Sequence, residues 1–237
     1  MDLASFLALL ETQSLFFRRA DKFEDKLEAS LPIGQHKAIE RRKEEMRLNG
    51  ASDAAIELFF IKDREWNIWF RENTYLNCWH INEKESIGMW KLYNPMGHGI
   101  CIQSTYQKLQ ESFSETYESI QIGTLEYIDL SREDVEIPED NKFYPFIHKD
   151  SSFTHENEIR AVVCDRLTEH GGRDINQNPQ FSLGRNIPIN LNELVEKIYV
   201  TPSSGQWFAD LVSSIIKKYE FQFQVSQSEL IREPFFG

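Results

Sequence analysis

Cysteine is scarce in this chain and poorly spaced for bonding. Its 237 residues hold three, Cys78, Cys101 and Cys164, with no CxxC among them. An odd, scattered set points away from a disulfide framework or a zinc knuckle, and fits reduced, mostly buried thiols in a cytoplasmic protein. Positive charge is short as well: 26 Lys and Arg stand against 38 Asp and Glu, a net charge of −12. A body this acidic repels phosphate backbones, so non-specific nucleic-acid binding is not expected. No run of ~18 apolar residues exists, so no membrane-spanning helix is expected. The opening segment carries Asp2 and Glu11 and no basic start, which argues against a secretory signal. Walker A, GxGxxG, HExxH and GxSxG patterns are all missing. That removes the common phosphate-loop, zinc-protease and serine-hydrolase signatures.

Apolar and aromatic residues are plentiful. Hydrophobic residues make up 41% and aromatics 13% of the chain, enough for a sizeable core and against global disorder. Leu3, Phe6, Leu7 and Leu10 recur at helical spacing over 2–12, and a strand follows over 14–17, ending at Arg18-Arg19. Residues 20–28 read as a polar turn anchored by Phe23 and Leu27. Two helices, 35–49 and 52–71, form an insertion of about 35–71. The first ends at Asn49-Gly50, and the second opens at Ser52 or Asp53. The basic run His36–Arg47 is interleaved with Glu40, Glu44 and Glu45, which predicts a solvated helix laced by i,i+4 pairs.

Further strands are expected at 75–80, 98–103, 119–128, 155–164, 187–189, 197–200 and 221–225. Helices are expected at 85–93, 106–113, from 143, and at 207–219, the last with Trp207, Phe208, Leu211 and Ile215 on its apolar face. Residues 131–141 and 169–182 read as loops. The mixture, without regular strand–helix alternation and without an interdomain linker, predicts a single α+β domain over 1–237. Its sheet should be mixed and largely antiparallel, with flanking helices.

Three segments carry chemistry. In His155-Glu156-Asn157-Glu158-Ile159-Arg160, a strand would put Glu156, Glu158 and Arg160 on one face. Two carboxylates there raise each other's pKa while the arginine holds one ionised, which suits acid/base work or a sugar hydroxyl. The plainer alternative is an exposed strand face with a salt bridge. Trp90 and Tyr93 share a helix face beside Gly97-His98-Gly99, a stacking pocket or simply core. Arg18 and Arg19 at a strand end suit a phosphate or carboxylate clamp, with Asp25 holding the turn behind them; helix capping and surface pairing is the rival reading. His148, His155, Glu156 and Glu158 match no metal-ligand spacing, so no metal is expected.

Four stretches together resemble the bacterial family called domain of unknown function 2971. They are Leu3–Glu28 with Phe23-Glu24-Asp25-x-x-Glu28; Glu85-Ser86-x-x-Met89-Trp90-x-x-Tyr93 with His98-Gly99-Ile100; Lys149-x-x-x-Phe153-x-His155-Glu156-x-Glu158-x-Arg160; and Ile198–Pro202 before Trp207. The chain departs from the family's Asp-Pro-Phe-Glu, carrying Asp25-Lys26-Leu27-Glu28 instead. More weakly, the layout is similar to ADP-ribosyltransferases. That resemblance implies NAD as cofactor, Glu158, Glu156 and Arg160 at the reacting ribose, and Arg18, Arg19, Trp90, Tyr93 and His98 around the dinucleotide. It further implies a toxin or phage-defence effector acting on a small-molecule nucleotide or protein acceptor. A non-catalytic ligand-binding or interaction module on the same fold is the second reading, and a metal-dependent nuclease the third. Oligomeric state is not read from the sequence.

Overall fold

A computed structural model describes residues 1–94, 97–138, 141–165, 183–228 and 230. Along the chain, α1 (Leu3–Thr12) leads into β1 (Ser14–Arg19), then α2 (Gly34–Leu48), α3 (Asp53–Glu72) and β2 (Thr74–His80). Next come α4 (Ile87–Tyr93), β3 (Ile100–Gln103), α5 (Tyr106–Glu111), β4 (Gln121–Thr124), β5 (Glu126–Ile128), β6 (His148–Asp150) and β7 (Glu158–Cys164). After residue 183 follow β8 (Gly184–Pro188), α6 (Leu191–Leu194), β9 (Lys197–Val200), α7 (Gln206–Lys218) and β10 (Val225–Gln227). The protein is α+β, and its largest sheet is mostly antiparallel. The loop expected at 169–182 lies outside the described residues.

The chain forms two compact units, each assembled from separated segments. The first takes Met1–Leu15, Asn82–Tyr117 and Asn186–Gly237. In it β9 runs between β3 and β10, antiparallel to the former and parallel to the latter. Ile198 and Val200 on β9 are fully buried, facing Ile102 and Ile100 across the ladder. Asp2 caps α1 by accepting from the Ser5 amide at 2.7 Å, the expected role for an N-cap aspartate. On α7 the buried stripe is Phe208, Ala209, Val212 and Ile216. Of the face predicted there, Trp207 and Leu211 are exposed instead, at 58% and 39%. Two apolar stripes run side by side one residue apart, and packing selects the second.

The second unit takes Phe16–Ile81 and Glu118–Arg185. It carries the five-stranded sheet, in the order β4-β7-β2-β1-β8, with β4–β7, β7–β2 and β2–β1 all antiparallel. Leu76 of β2 and Val162 of β7 pack on one sheet face with Ala20, Phe70 and Phe146, joined by Phe23 and Trp69. The predicted helical insertion is present as α2 and α3. Ser52 caps α3 by accepting from the Ala55 amide, and Gly50 takes the left-handed conformation that stops α2, at φ +85°.

On α2 the pairs Glu40–Lys43 and Glu44–Arg47 are spaced i,i+3, and Lys37 and Arg41 reach off the helix to Glu133 and Glu136. The acidic 131–138 loop lies along the helix and competes for its bases. Gly34 permits that approach, since a Cβ there would sit 2.1 Å from the Val135 carbonyl oxygen.

Two further expectations are corrected within this unit. No α-helix starts at 143: a single 3-10 turn over Tyr144–Phe146 gives way to β6, which pairs in parallel with β5. The strand expected over 155–164 begins only at Glu158. Residues 151–156 form a 3-10 turn, and Asn157 breaks direction at φ 39°, a left-handed conformation that asparagine tolerates better than most residues.

Candidate functional site

The sheet of the second unit gathers five ionisable side chains into one buried group. Glu158 and Arg160 lie two apart on β7 and therefore share a face. Arg160 is completely buried. Its Nη1 and Nη2 donate to the two carboxylate oxygens of Glu28, at 2.5 and 3.1 Å. Its Nε donates to Glu158 at 2.8 Å, and Nη1 also reaches the Phe146 carbonyl at 3.0 Å. This is the forked geometry that suits arginine to carboxylates. Glu28 is delivered by a tight turn in which the Asp25 carboxylate accepts from the Leu27 amide at 2.9 Å, and the following Ala29 sits at φ 56°. Asp25 thus holds the turn, as the sequence suggested, but what the turn presents is Glu28. Leu27, expected as a buried anchor, is 54% exposed.

Lys149 enters from β6 and donates to both Glu156 and Glu158, the latter at 3.2 Å; Glu28 lies 3.9 Å away. Glu156 is not on the strand. The turn at Asn157 swings it back over the same group, and its carbonyl receives a 2.5 Å hydrogen bond from His80 Nδ1. Tyr127 Oη accepts from the Glu158 amide at 2.9 Å.

The two glutamates are driven apart electrostatically. Burial raises the Glu156 pKa, and its hydrogen bond with Glu158 raises it further against the pull of Lys149. Burial also opposes ionisation of Glu158, but the bond from Glu156 and the charges of Arg160 and Lys149 outweigh it and bring its pKa to about 2. Lys149 and Arg160 are held protonated despite their desolvation, chiefly through hydrogen bonds and charges of the surrounding carboxylates.

The other predicted residues are placed as follows. Arg18, on β1, is exposed. Its Nε donates to the Lys22 carbonyl at 2.7 Å, its guanidinium lies 5.8 Å from the Phe23 ring centre, and no carboxylate pairs with it among the described residues. Arg160 lies 5.9 Å from the same ring, so Phe23 links Arg18 to the buried group. Arg19 points to the opposite sheet face, is buried, and is taken up by Asp21 at 2.5 and 2.9 Å. A guanidinium so neutralised is a poor phosphate clamp.

Trp90, Tyr93 and His98 belong to the first unit. Trp90 Nε1 donates to Glu85 at 3.0 Å, Tyr93 is 56% exposed, and the His98 ring stands 5.5 and 5.4 Å from those of Trp207 and Phe208. Gly97 takes φ +80°, a conformation that glycine adopts freely, and a Cβ on Gly99 would fall 2.5 Å from the Asn94 side chain.

Glu28 and Lys149 stand in the motifs that carry the family resemblance but are given no role in the site there, and Tyr127, which borders the group, is not singled out at all. The cysteines are all free thiols, but Cys78 and Cys101 are exposed instead of buried. Cys78 faces Arg160 across the β2–β7 ladder. Its surface is accessible, yet its sulfur sits low over the buried charges, where desolvation and the neighbouring carboxylates push its pKa up to about 12.

Among the described residues, no three His, Cys, Asp or Glu side chains are arranged to hold a metal ion, and no helix is long and apolar enough to cross a membrane. No family model, curated protein or solved structure matches the chain. The functional reading therefore rests on the geometry of the charged group.

Proposed function

We propose that the protein is an ADP-ribosyltransferase-like enzyme that cleaves the nicotinamide N-glycosidic bond of NAD. The observation that carries this reading is the Glu156–Glu158 pair, adjacent carboxyls pushed in opposite pKa directions. Such divergence marks a division of labour between a permanent anion and a group able to exchange a proton. Glu158, ionised, stabilises the positive charge that develops on the ribose as the C1′–N bond breaks and nicotinamide leaves with the bonding pair. Glu156 accepts the proton of the hydroxyl or amine that attacks C1′. Lys149 and Arg160 position the pair. Arg160 is too buried to meet substrate, so its part is to fix Glu158. The weaker of the two resemblances noted in the sequence, that to ADP-ribosyltransferases, points the same way, and the reading puts the protein in the cytoplasm, beside its NAD. Trp90, Tyr93 and His98 are given no part in it.

The test is nicotinamide release from NAD in the presence of EDTA, for wild type, Glu158→Gln and Glu156→Gln. Release by wild type that Glu158→Gln abolishes, with circular dichroism unchanged, is the expected result. One observation favours a second reading, a non-catalytic nucleotide-binding module: every cluster carboxylate is already neutralised by Lys149 or Arg160. Binding of ADP-ribose without nicotinamide release from NAD would decide for it. The same neutralisation competes with a divalent cation, so a nuclease activity restored by Mg²⁺ would count against both.

A further inference from the structure

On the second unit, the sheet face that bears Glu158 and Arg160 is buried along β7 and becomes exposed toward β1. Leu76 and Val162 are sealed beneath Phe70 and Phe146. Beyond them the pattern changes. Arg18 pairs with Leu76, so Arg18 and Phe16, two residues apart on β1, share this face. Continuing the antiparallel register sets Phe16 beside Cys78, and the Asn77 side chain, whose Nδ2 donates to the Phe16 carbonyl at 3.0 Å, lies next to that position. Cys78 in turn pairs with Arg160, and His80 with Glu158. Three adjacent strands thus carry Phe16, Cys78 and Arg160 in a row spanning about 10 Å, with Glu158 one pleat further on. Phe16 is 49% exposed, unusual for a phenylalanine in a strand next to a core, and Cys78 and Arg18 are exposed with it.

Arg18 is also preset. With Nε anchored on the Lys22 carbonyl and the guanidinium carbon 5.8 Å from the Phe23 ring centre, the two terminal nitrogens are left to meet an incoming anion. Arg18 has no carboxylate partner among the described residues. We infer that Phe16 and Arg18 form a nucleotide-binding ledge: the Phe16 ring stacks on a heteroaromatic ring of the ligand, and Arg18 holds its phosphate. Gly184, on the neighbouring strand β8, leaves room for the Phe16 ring, since a Cβ there would come within 2.6 Å of that ring and 2.3 Å of the Phe17 carbonyl oxygen. The choice of a nucleotide as ligand rests on the proposed function; the ledge itself rests on exposure, register and the position of Arg18.

The test is calorimetric titration of the whole protein with ADP-ribose, NAD and adenosine, for wild type, Phe16→Ala, Phe16→Tyr, Arg18→Gln and Glu158→Gln. Loss of one base–aromatic stack should weaken ADP-ribose binding roughly 5- to 150-fold in Phe16→Ala, and Phe16→Tyr should restore it. Arg18→Gln should weaken ADP-ribose and NAD but leave adenosine, which lacks a phosphate, unchanged. Affinities in Phe16→Ala and Arg18→Gln equal to wild type, or no measurable nucleotide binding by wild type, would overturn the ledge. Failure of the proposed reaction looks different. There wild type binds ADP-ribose through Phe16 and Arg18 but releases no nicotinamide, and the ledge stands. If instead nicotinamide release is intact and its KM is indifferent to Phe16→Ala, the ledge falls and the reaction stands.

Discussion

Replacing Arg160 with methionine removes the centre of the charged group while keeping similar bulk. The guanidinium is fully buried and makes four hydrogen bonds, two of them to Glu28, whose side chain is equally buried. Without it, Glu28 keeps as its nearest cation Lys149 at 3.9 Å, a nitrogen already engaged by Glu156 and Glu158. Leaving a buried charge without its partner costs about 3–5 kcal/mol, whereas replacing both partners by apolar residues is often close to neutral. Arg160→Met should therefore lose about 3–5 kcal/mol, and Glu28→Leu/Arg160→Met should recover most of it. The assay is urea denaturation at pH 7 followed by far-ultraviolet circular dichroism, with the slopes compared as well as the midpoints. A single variant within about 1 kcal/mol of wild type would refute the reasoning. So would a double variant as unstable as the sum of the two singles, because the pair would then not be coupled.

Three other outcomes are expected. Glu158, depressed from its ordinary 4.5 to about 2, contributes stability that is present above pH 4.5 and lost as pH falls toward 2; Glu156, raised, contributes in the opposite sense, its stabilisation fading as pH climbs through its elevated pKa. Thermal melting across pH 2–5 should therefore fall more steeply for wild type than for Glu158→Gln, and parallel curves would contradict the assignment. Phe208→Ala should cost about 3–5 kcal/mol, as for a buried aromatic, while Trp207→Ala, at an exposed position, should stay within about 1 kcal/mol; chemical denaturation of the two variants side by side decides it. Cys78 is accessible but poorly ionised, so Ellman's reagent should label it slowly at pH 8 and faster in Glu158→Gln, where one opposing charge is gone; fast labelling of the native wild type at Cys78 would show that the charges below do not reach the sulfur.

The long periodic elements were legible in the sequence, and the site only in part. Apolar spacing and the Ser52 cap place α3 to within a residue, because a 20-residue helix averages over local ambiguity. The expected α7 face holds for Phe208 but not for Trp207 and Leu211, because Trp207-Leu211-Ile215 and Phe208-Val212-Ile216 are equally apolar and the choice between them is made by what packs against the helix. Alternation along β7 correctly puts Glu158 and Arg160 on one face. It fails at Glu156, where one left-handed residue ends the strand, although the glutamate reaches the same charges by another route. Glu28 and Lys149 complete the group from positions 132 and 9 residues away from their partners Arg160 and Glu158. No local pattern encodes a pairing of that reach.

The interleaving of the two units has a consequence for biosynthesis. The chain passes from one to the other four times, after Leu15, Ile81, Tyr117 and Arg185. Every residue of the second unit has left the ribosome before the last segment of the first, which supplies β9, α7 and β10, has been made. With synthesis at about 5–20 residues per second, Met1–Leu15 must wait many seconds for the strands that complete its own core. The charged sheet can close in that interval. A nascent chain of this protein is thus expected to hold its glutamates and arginine in place while its opening helix is still looking for partners.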